Sequence, residues 1–226
     1  ALMERAKGRG RRKGAPRGQV LRLPLDTPDL AKAAVAAPEN RGVVQEFAPG
    51  DHGLYVVSLL GGPSELLYYP RGRTRPRHIP ALPVSTVLGL DSWHGDEVVF
   101  GNVSYLAPFA WFTYDPAANQ VSRTALSMTS PADFADLEVV REFATSKDGT
   151  KVPLNILRKR GLKRDGQNPT LLYGYGGYGI SLTPGFDSTR RVWFDAGGVY
   201  VVSNLRGGGE YGEQWHKAGN LTQKQH

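Results

Sequence analysis

Two pairs of short strands recur at a near-constant spacing, and that recurrence constrains the architecture more than any other feature of the sequence. Residues 54–60 and 65–69 flank the turn Gly61-Gly62-Pro63. Residues 97–100 and 111–114 form a second pair, closed by Asp115-Pro116. Apolar and β-branched runs punctuated by Gly and Pro read as hairpin strands. His52-Gly53 precedes the first pair and His94-Gly95 the second, 42 positions on, while Tyr69 and Tyr114 end their strands 45 apart. A weaker echo, LRLPLDTP, ends at Pro28, 42 positions before Pro70. A period of about 40–45 residues made of short strands suggests propeller blades. With so few units, a β-sandwich is the alternative. His52 and His94 sit in polar turns without a carboxylate–histidine cluster at ligand spacing, so they read as turn residues rather than metal ligands.

The pattern changes after about Asp136. Residues 139–146, then Asp148-Gly149, then residues 150–156 read as a hairpin in which Thr150, Val152, Leu154 and Ile156 share one face. A basic loop runs from Arg158 to Gly166, and residues 170–173 read as a short buried strand. Asp187 or Ser188 is placed to cap a helix carrying Val192, Trp193 and Phe194, which stops at Gly197-Gly198. Residues 199–205 form another apolar strand. Strand, crossover, helix and strand begin a parallel α/β sheet.

With 40% hydrophobic and 22% charged residues, the chain reads as soluble and globular. The absence of cysteine removes disulfides, thiolate metal sites and cysteine nucleophiles together. No run approaches the roughly 18 apolar residues of a membrane span. The net charge of +7 suggests a polyanion partner, but its distribution argues otherwise. Eight basic residues lie between Arg5 and Arg22, opposed only by Glu4. Of 28 basic and 21 acidic residues, 20 of each remain after that stretch, so the body is neutral. The stretch RAKGRGRRKG lacks the interleaved aromatics that stack bases, so it reads as a solvated, disordered tail rather than a nucleic-acid site.

The segment LLYGYGGYG (residues 171–179) holds two competing chemistries. Gly174-x-Gly176-x-x-Gly179 satisfies the dinucleotide fingerprint, yet 28 glycines in 226 residues produce about 0.4 such matches by chance. A pyrophosphate site also needs a helix directly after the glycines. The following ISLTPG contains Pro184, which forbids an uninterrupted helix. The other reading places Tyr175 at the C-terminal end of a strand, where its hydroxyl can donate to an oxyanion. On pattern alone, a tyrosine packed in a tight turn competes with that role.

Three longer stretches narrow the choice. SKDGTKVPLNI, LLYGYGGYGISLTPGF and GGVYVVSNLRGGGEYGEQWHKAGN together resemble the prolyl oligopeptidase family of serine peptidases. APRG at residues 15–18 and the blade SYLAPFAWFTYDP fit the same family, so the resemblance runs from Ala15 to Gln225. It implies partial β-propeller blades followed by the N-terminal part of an α/β-hydrolase domain. The implied division is a basic tail over 1–14, about three blades over 15–137, and the start of the peptidase domain over 138–226. By this resemblance Tyr175 is the oxyanion-hole donor and Tyr178 lines the proline-binding pocket. Gly177 and Thr183-Pro184 favour the proline-specific branch over the oligopeptidase B group, which prefers basic residues. The implied substrates are short proline-containing peptides. No metal or organic cofactor is implied, nor a nucleic-acid or membrane partner. A monomer in the cytoplasm is the family's usual form.

One departure qualifies the resemblance. The family needs a serine in G-x-S-x-G, followed by aspartate and histidine, and no serine here lies in that pattern. Ser181 is followed by Leu182 and Thr183, and Ser203 lies within a strand. His216 and His226 are not in the family's catalytic-histidine context. Arg206 and the glycines after it read as a strand exit. The expectation is an internal part of a longer enzyme, inactive and marginally stable alone, with open blade edges. A non-catalytic propeller module or pseudo-enzyme is the rival.

Overall fold

The computed structural model describes residues 2–5, 15–24, 26 and 29–225. Its strands β1 (Leu2–Arg5), β2 (Val20–Leu23) and β3 (Ala34–Ala37) form a three-stranded antiparallel sheet. The solvated tail expected at the N-terminus is therefore corrected over Leu2–Arg5, whose backbone pairs with β2. Residues 6–14 of that expectation lie outside the described residues.

Two four-stranded antiparallel meanders follow. The first contains β4 (Val43–Pro49), β5 (Gly53–Leu59), β6 (Ser64–Pro70) and β7 (Arg77–Ile79). The second contains β8 (Ser85–Ser92), β9 (Val98–Ser104), β10 (Ala110–Asp115) and β11 (Gln120–Ser127). The spacing seen in the sequence is thus the spacing of blades. Their facing sides share one core, in which Tyr55 and Tyr68 of one blade meet Phe100 and Tyr114 of the next. Tyr55 and Tyr68 rings lie 4.7 Å apart, and Tyr55 meets Tyr114 edge-on at 6.2 Å. Each fully buried aromatic contributes about 1.5–3 kcal/mol. Tyr55 donates its hydroxyl to the Asp96 carbonyl at 2.5 Å, and burial pushes that phenol well above the usual tyrosine range.

The last sheet is mixed. It contains β12 (Leu137–Thr145), β13 (Lys151–Lys159), β14 (Thr170–Gly174) and β15 (Val199–Ser203), in the order β12-β13-β15-β14. Only β14 and β15 run parallel, joined by α1 (Arg190–Asp195). The helix packs Phe194 beneath the sheet with Phe134, Leu137, Leu157 and Val202. Its N-cap position is Thr189 rather than Asp187 or Ser188, but the Asp187 carboxylate accepts the Thr189 N–H at 3.0 Å. Gly197, at φ 81°, ends it as expected. The chain then runs through α2 (Glu213–Lys217) and a 3-10 segment, Leu221–Gln225. Among the described residues, no helix is long and apolar enough to cross a membrane.

One sequence expectation is corrected here. The strand read as buried over residues 170–173 is β14, and it is exposed along its length, with Leu172 at 65%. Among the described residues it pairs only with β15 and ends the sheet order. Along β13, Val152, Leu154 and Ile156 share one face as expected, with Thr150 just before the strand, while Pro153, Asn155 and Leu157 on the opposite face are buried. The alternation was legible, but α1 packs against the other face.

Direct bonds join the blades to this sheet. Arg141 on β12 donates to the carbonyls of Leu60 and Gly61 at 2.6 and 2.9 Å. Gly61 N–H donates to the Glu210 carbonyl at 3.1 Å, and the Thr86 hydroxyl to the Pro184 carbonyl at 2.6 Å.

Candidate active site

The parallel pair β14 and β15 ends in register, with Gly174 opposite Ser203. Both chains therefore leave the sheet at one edge, the C-terminal edge where α/β folds place their chemistry. Tyr175 is the first residue beyond it. The two exit loops pack closely, and glycine makes that possible. A Cβ on Gly176, which has φ +58°, would stand 2.6 Å from Leu205 Cβ and 2.8 Å from the Arg206 carbonyl oxygen. Gly179 N–H donates across to the Gly207 carbonyl at 2.9 Å, and Ile180 N–H back to Gly177 at 3.0 Å. These amides are engaged within the protein, and no helix begins until Arg190. The glycines thus serve loop-to-loop contact rather than a pyrophosphate cradle.

Tyr175 is 42% exposed, and its ring folds over Gly177. Its hydroxyl forms no hydrogen bond to a described residue. Tyr178 is 87% exposed and adopts φ +54°, a left-handed conformation that β-carbon-bearing residues rarely take. The two rings lie 6.5 Å apart at 29°. The fold therefore brings the two sequence-selected tyrosines together on one exposed ledge.

Arg206 lies just below. Its guanidinium holds the turn between β12 and β13 through the Asp148 carboxylate, the Thr150 hydroxyl at 3.2 Å and the Ser146 hydroxyl at 3.1 Å. Arg206 first, and the Thr150 N–H second, hold the Asp148 carboxyl well below the usual carboxylate range. The segment after β15 then folds back over its exit. Trp215 Nε1 donates to the Leu205 carbonyl at 3.1 Å, and His216 Nδ1 lies 2.8 Å from the Gly207 carbonyl. Lys224 Nζ contacts the Gly176 carbonyl and donates to the Arg206 carbonyl at 3.1 Å. His216 is thus a backbone clamp. Ser203 is buried and donates to the Tyr173 carbonyl at 3.0 Å, and Ser181 lies beside Gly209. His226 lies outside the described residues.

The site's support contains residues that sequence reasoning missed. Glu210 is fully buried, and its Oε1 accepts from Leu182 N–H at 3.0 Å and from Asn204 Nδ2 at 3.3 Å. Burial pushes its carboxyl upward, and these bonds offset the shift only in part. Asn204 also donates to the Leu182 carbonyl at 2.7 Å and accepts from Asn155 at 3.0 Å. A glutamate among glycines reads locally as a solvated turn, and no nearby pattern marks it otherwise.

The two turn histidines lie on the blades. His52 pairs through Nδ1 with the Asp96 carboxylate, and the His94 ring meets Trp93 at 5.1 Å. His94 and Asp96, with Tyr68, Arg77 and Asp115, line an open groove of about 390 Å³ that none of the candidate site residues borders. Among the described residues, no group of three or more histidine and acidic side chains is arranged to hold a metal.

Comparison with known proteins points to one family and fold. The model for the prolyl oligopeptidase family matches residues 184–226. A prolyl endopeptidase of Elizabethkingia miricola is 42% identical over 130 residues, covering 57% of this chain and 18% of the relative. An uncharacterized peptidase of Sinorhizobium fredii is 34% identical over 209 residues, covering 86% of this chain and 29% of the relative. A solved structure from a study of two prolyl endopeptidases superposes with a TM-score of 0.81 at 33% identity, over 94% of this chain and 32% of that one. Oligopeptidase B of Leishmania major shares the fold, with a TM-score of 0.75 at 24% identity over 92% of this chain and 31% of that one. The chain spans under a third of the length of these relatives.

Proposed function

We propose, from the premise that this chain belongs to the prolyl oligopeptidase family, that it forms part of a serine peptidase cleaving short peptides after proline. The observation that carries the reading is Tyr175, an exposed phenol with no hydrogen bond to a described residue, at the C-terminal edge of a parallel strand pair. In acyl transfer, a serine oxygen adds to the scissile carbonyl, whose oxygen becomes an oxyanion. Tyr175 donates its O–H to that oxygen. A donor fixed before charge develops lowers the barrier, because it need not reorganise at the moment of reaction.

The nucleophile comes from outside these 226 residues, which hold no serine in the elbow pattern. Tyr178 offers an exposed aromatic face beside Tyr175, suited to the apolar ring of a proline side chain. In this reading residues 15–137 belong to the propeller that screens substrates, and residues 138–226 begin the peptidase domain. The prolyl endopeptidases among the relatives support the preference for proline.

The test uses the longest polypeptide that carries this sequence, assayed with a peptide bearing a chromogenic leaving group after proline. Tyr175→Phe is expected to lower kcat by about 10- to 1,000-fold with an unchanged melting profile. Full turnover by that variant overturns the role of Tyr175. Cleavage after arginine or lysine but not proline transfers the chain to the oligopeptidase B type. No turnover with Tyr175 intact favours a non-catalytic propeller module.

A further inference from the structure

Tyr175 sits in a run with glycine at 174, 176, 177 and 179. Such a run loses more backbone entropy on ordering than any other, so a fixed phenol requires ties from outside the loop. The strand pair holds Gly174, and the Gly207 carbonyl holds Gly179. Between them, the carbonyl one residue after Tyr175 is gripped by Lys224 Nζ, which also donates to the Arg206 carbonyl at 3.1 Å. The ammonium thus bridges the loop after β14 to the loop after β15.

Glycines flank the ammonium in both loops. A Cβ on Gly176 would stand 2.9 Å from Nζ, and one on Gly207 would stand 3.1 Å from it. Side chains at either position would crowd the ammonium. Lys224 also completes a series. The successive carbonyls of Leu205, Arg206 and Gly207 meet Trp215, Lys224 and His216, all from the segment that follows β15. Lys224 is the member that reaches across to the tyrosine loop. Hydrogen bonds from an ammonium are roughly twice as strong as neutral ones, which suits one side chain to hold two loops.

We propose that Lys224 is a positioning residue for Tyr175, clamping the carbonyls of Gly176 and Arg206 so that the phenol is fixed where the oxyanion forms. This rests on the peptidase reading above. The test compares Lys224→Met, Lys224→Arg, Tyr175→Phe and the Lys224→Met/Tyr175→Phe pair in the longest active polypeptide. Lys224→Met is expected to lower kcat about 10-fold with KM changed less than about twofold, as misplacement of a catalytic group does. Lys224→Arg recovers most of that loss. The double variant is expected to be no slower than Tyr175→Phe alone, because a clamp has no effect once its cargo is gone. Full kcat in Lys224→Met, or losses that multiply in the double variant, overturns the proposal. Full kcat in Tyr175→Phe instead overturns the assignment beneath it. Amide hydrogen exchange over residues 174–180 supplies a readout independent of turnover. Lys224→Met is expected to accelerate exchange there and leave the blades unchanged, and unaltered exchange counts against the clamp.

Discussion

The carboxylate of Glu210, fully buried, accepts the backbone N–H of Leu182 at 3.0 Å across the loop that links the tyrosine ledge to α1. Glu210 also accepts from Asn204 at 3.3 Å, and its own carbonyl accepts the Gly61 N–H of the first four-stranded blade at 3.1 Å. One residue therefore joins the exit of β15, the loop at Leu182 and the blade turn. Low dielectric makes such a network strict, because a buried polar group without a partner is expensive.

Glu210 gives a pH dependence whose sign follows from burial. Its carboxyl is shifted upward in the folded protein from an ordinary value of 4.5. Above that value the unfolded chain loses its proton before the folded chain does. Stability therefore falls as pH rises through the ordinary value toward the raised one. Glu210→Gln removes the ionisation. Its Tm relative to the parent is expected to improve as pH rises above 4.5 and to level off once the folded carboxyl ionises, as followed in thermal melts. A difference independent of pH contradicts this account. Glu210→Ala leaves the Leu182 N–H without its partner and is expected to cost about 1–3 kcal/mol.

Asp148 has the opposite sign. Arg206 holds its carboxyl below the ordinary range, so its contribution is present above the ordinary value of 3.8 and fades as pH falls below it. Asp148→Asn is expected to melt below the parent at pH 7, with the gap narrowing at pH 3. Because the pair lies near solvent, 0.5 M salt is expected to narrow the gap at pH 7 as well.

Tyr178 trades stability for position. A non-glycine residue at φ +54° stores strain of about 1–3 kcal/mol, and the ring is too exposed to offset it by burial. Asparagine tolerates the same conformation. Tyr178→Asn is expected to raise stability by about 1 kcal/mol in urea unfolding while raising KM for proline substrates. A destabilised variant means that the ring packs in a way the exposed ledge does not show.

Gly176 separates close approach from backbone freedom. Gly176→Ala places a Cβ 2.6 Å from Leu205 and is expected to displace the Tyr175 loop, lowering kcat at least about 10-fold. Gly161→Ala serves as the comparison, since Gly161 has a similar positive φ but open space around it. That variant is expected to lose about 1–2 kcal/mol in stability with turnover unchanged. Equal activity in the two variants contradicts the packed-loop geometry.

Much of the fold was legible because its signals are short-range. Gly61-Gly62-Pro63 sits between two apolar runs, and such punctuation gives β5 and β6 their hairpin whatever lies around them. Gly197 ends α1 because only glycine takes its φ freely. The place of Tyr175 just after an apolar strand was also legible locally, whereas its role as a donor came only from the family resemblance. Residues 170–173 read as buried, and within these 226 residues they form an exposed strand that ends the sheet. An apolar run looks the same in a covered strand and in one that ends a sheet, and only the order β12-β13-β15-β14 distinguishes them.

By itself, then, the sequence determined the blade period, the change to an α/β pattern near residue 136 and the place of Tyr175 at a strand's end. These follow from periodicity and turn chemistry within windows of a few residues. Tertiary structure alone decided which side of β13 is buried, that Glu210 is enclosed rather than solvated, and that Lys224 closes on Gly176, 48 positions away. Those outcomes depend on the partners that chain folding brings together, and a charged residue carries the same local signature whether it meets water or a buried backbone group.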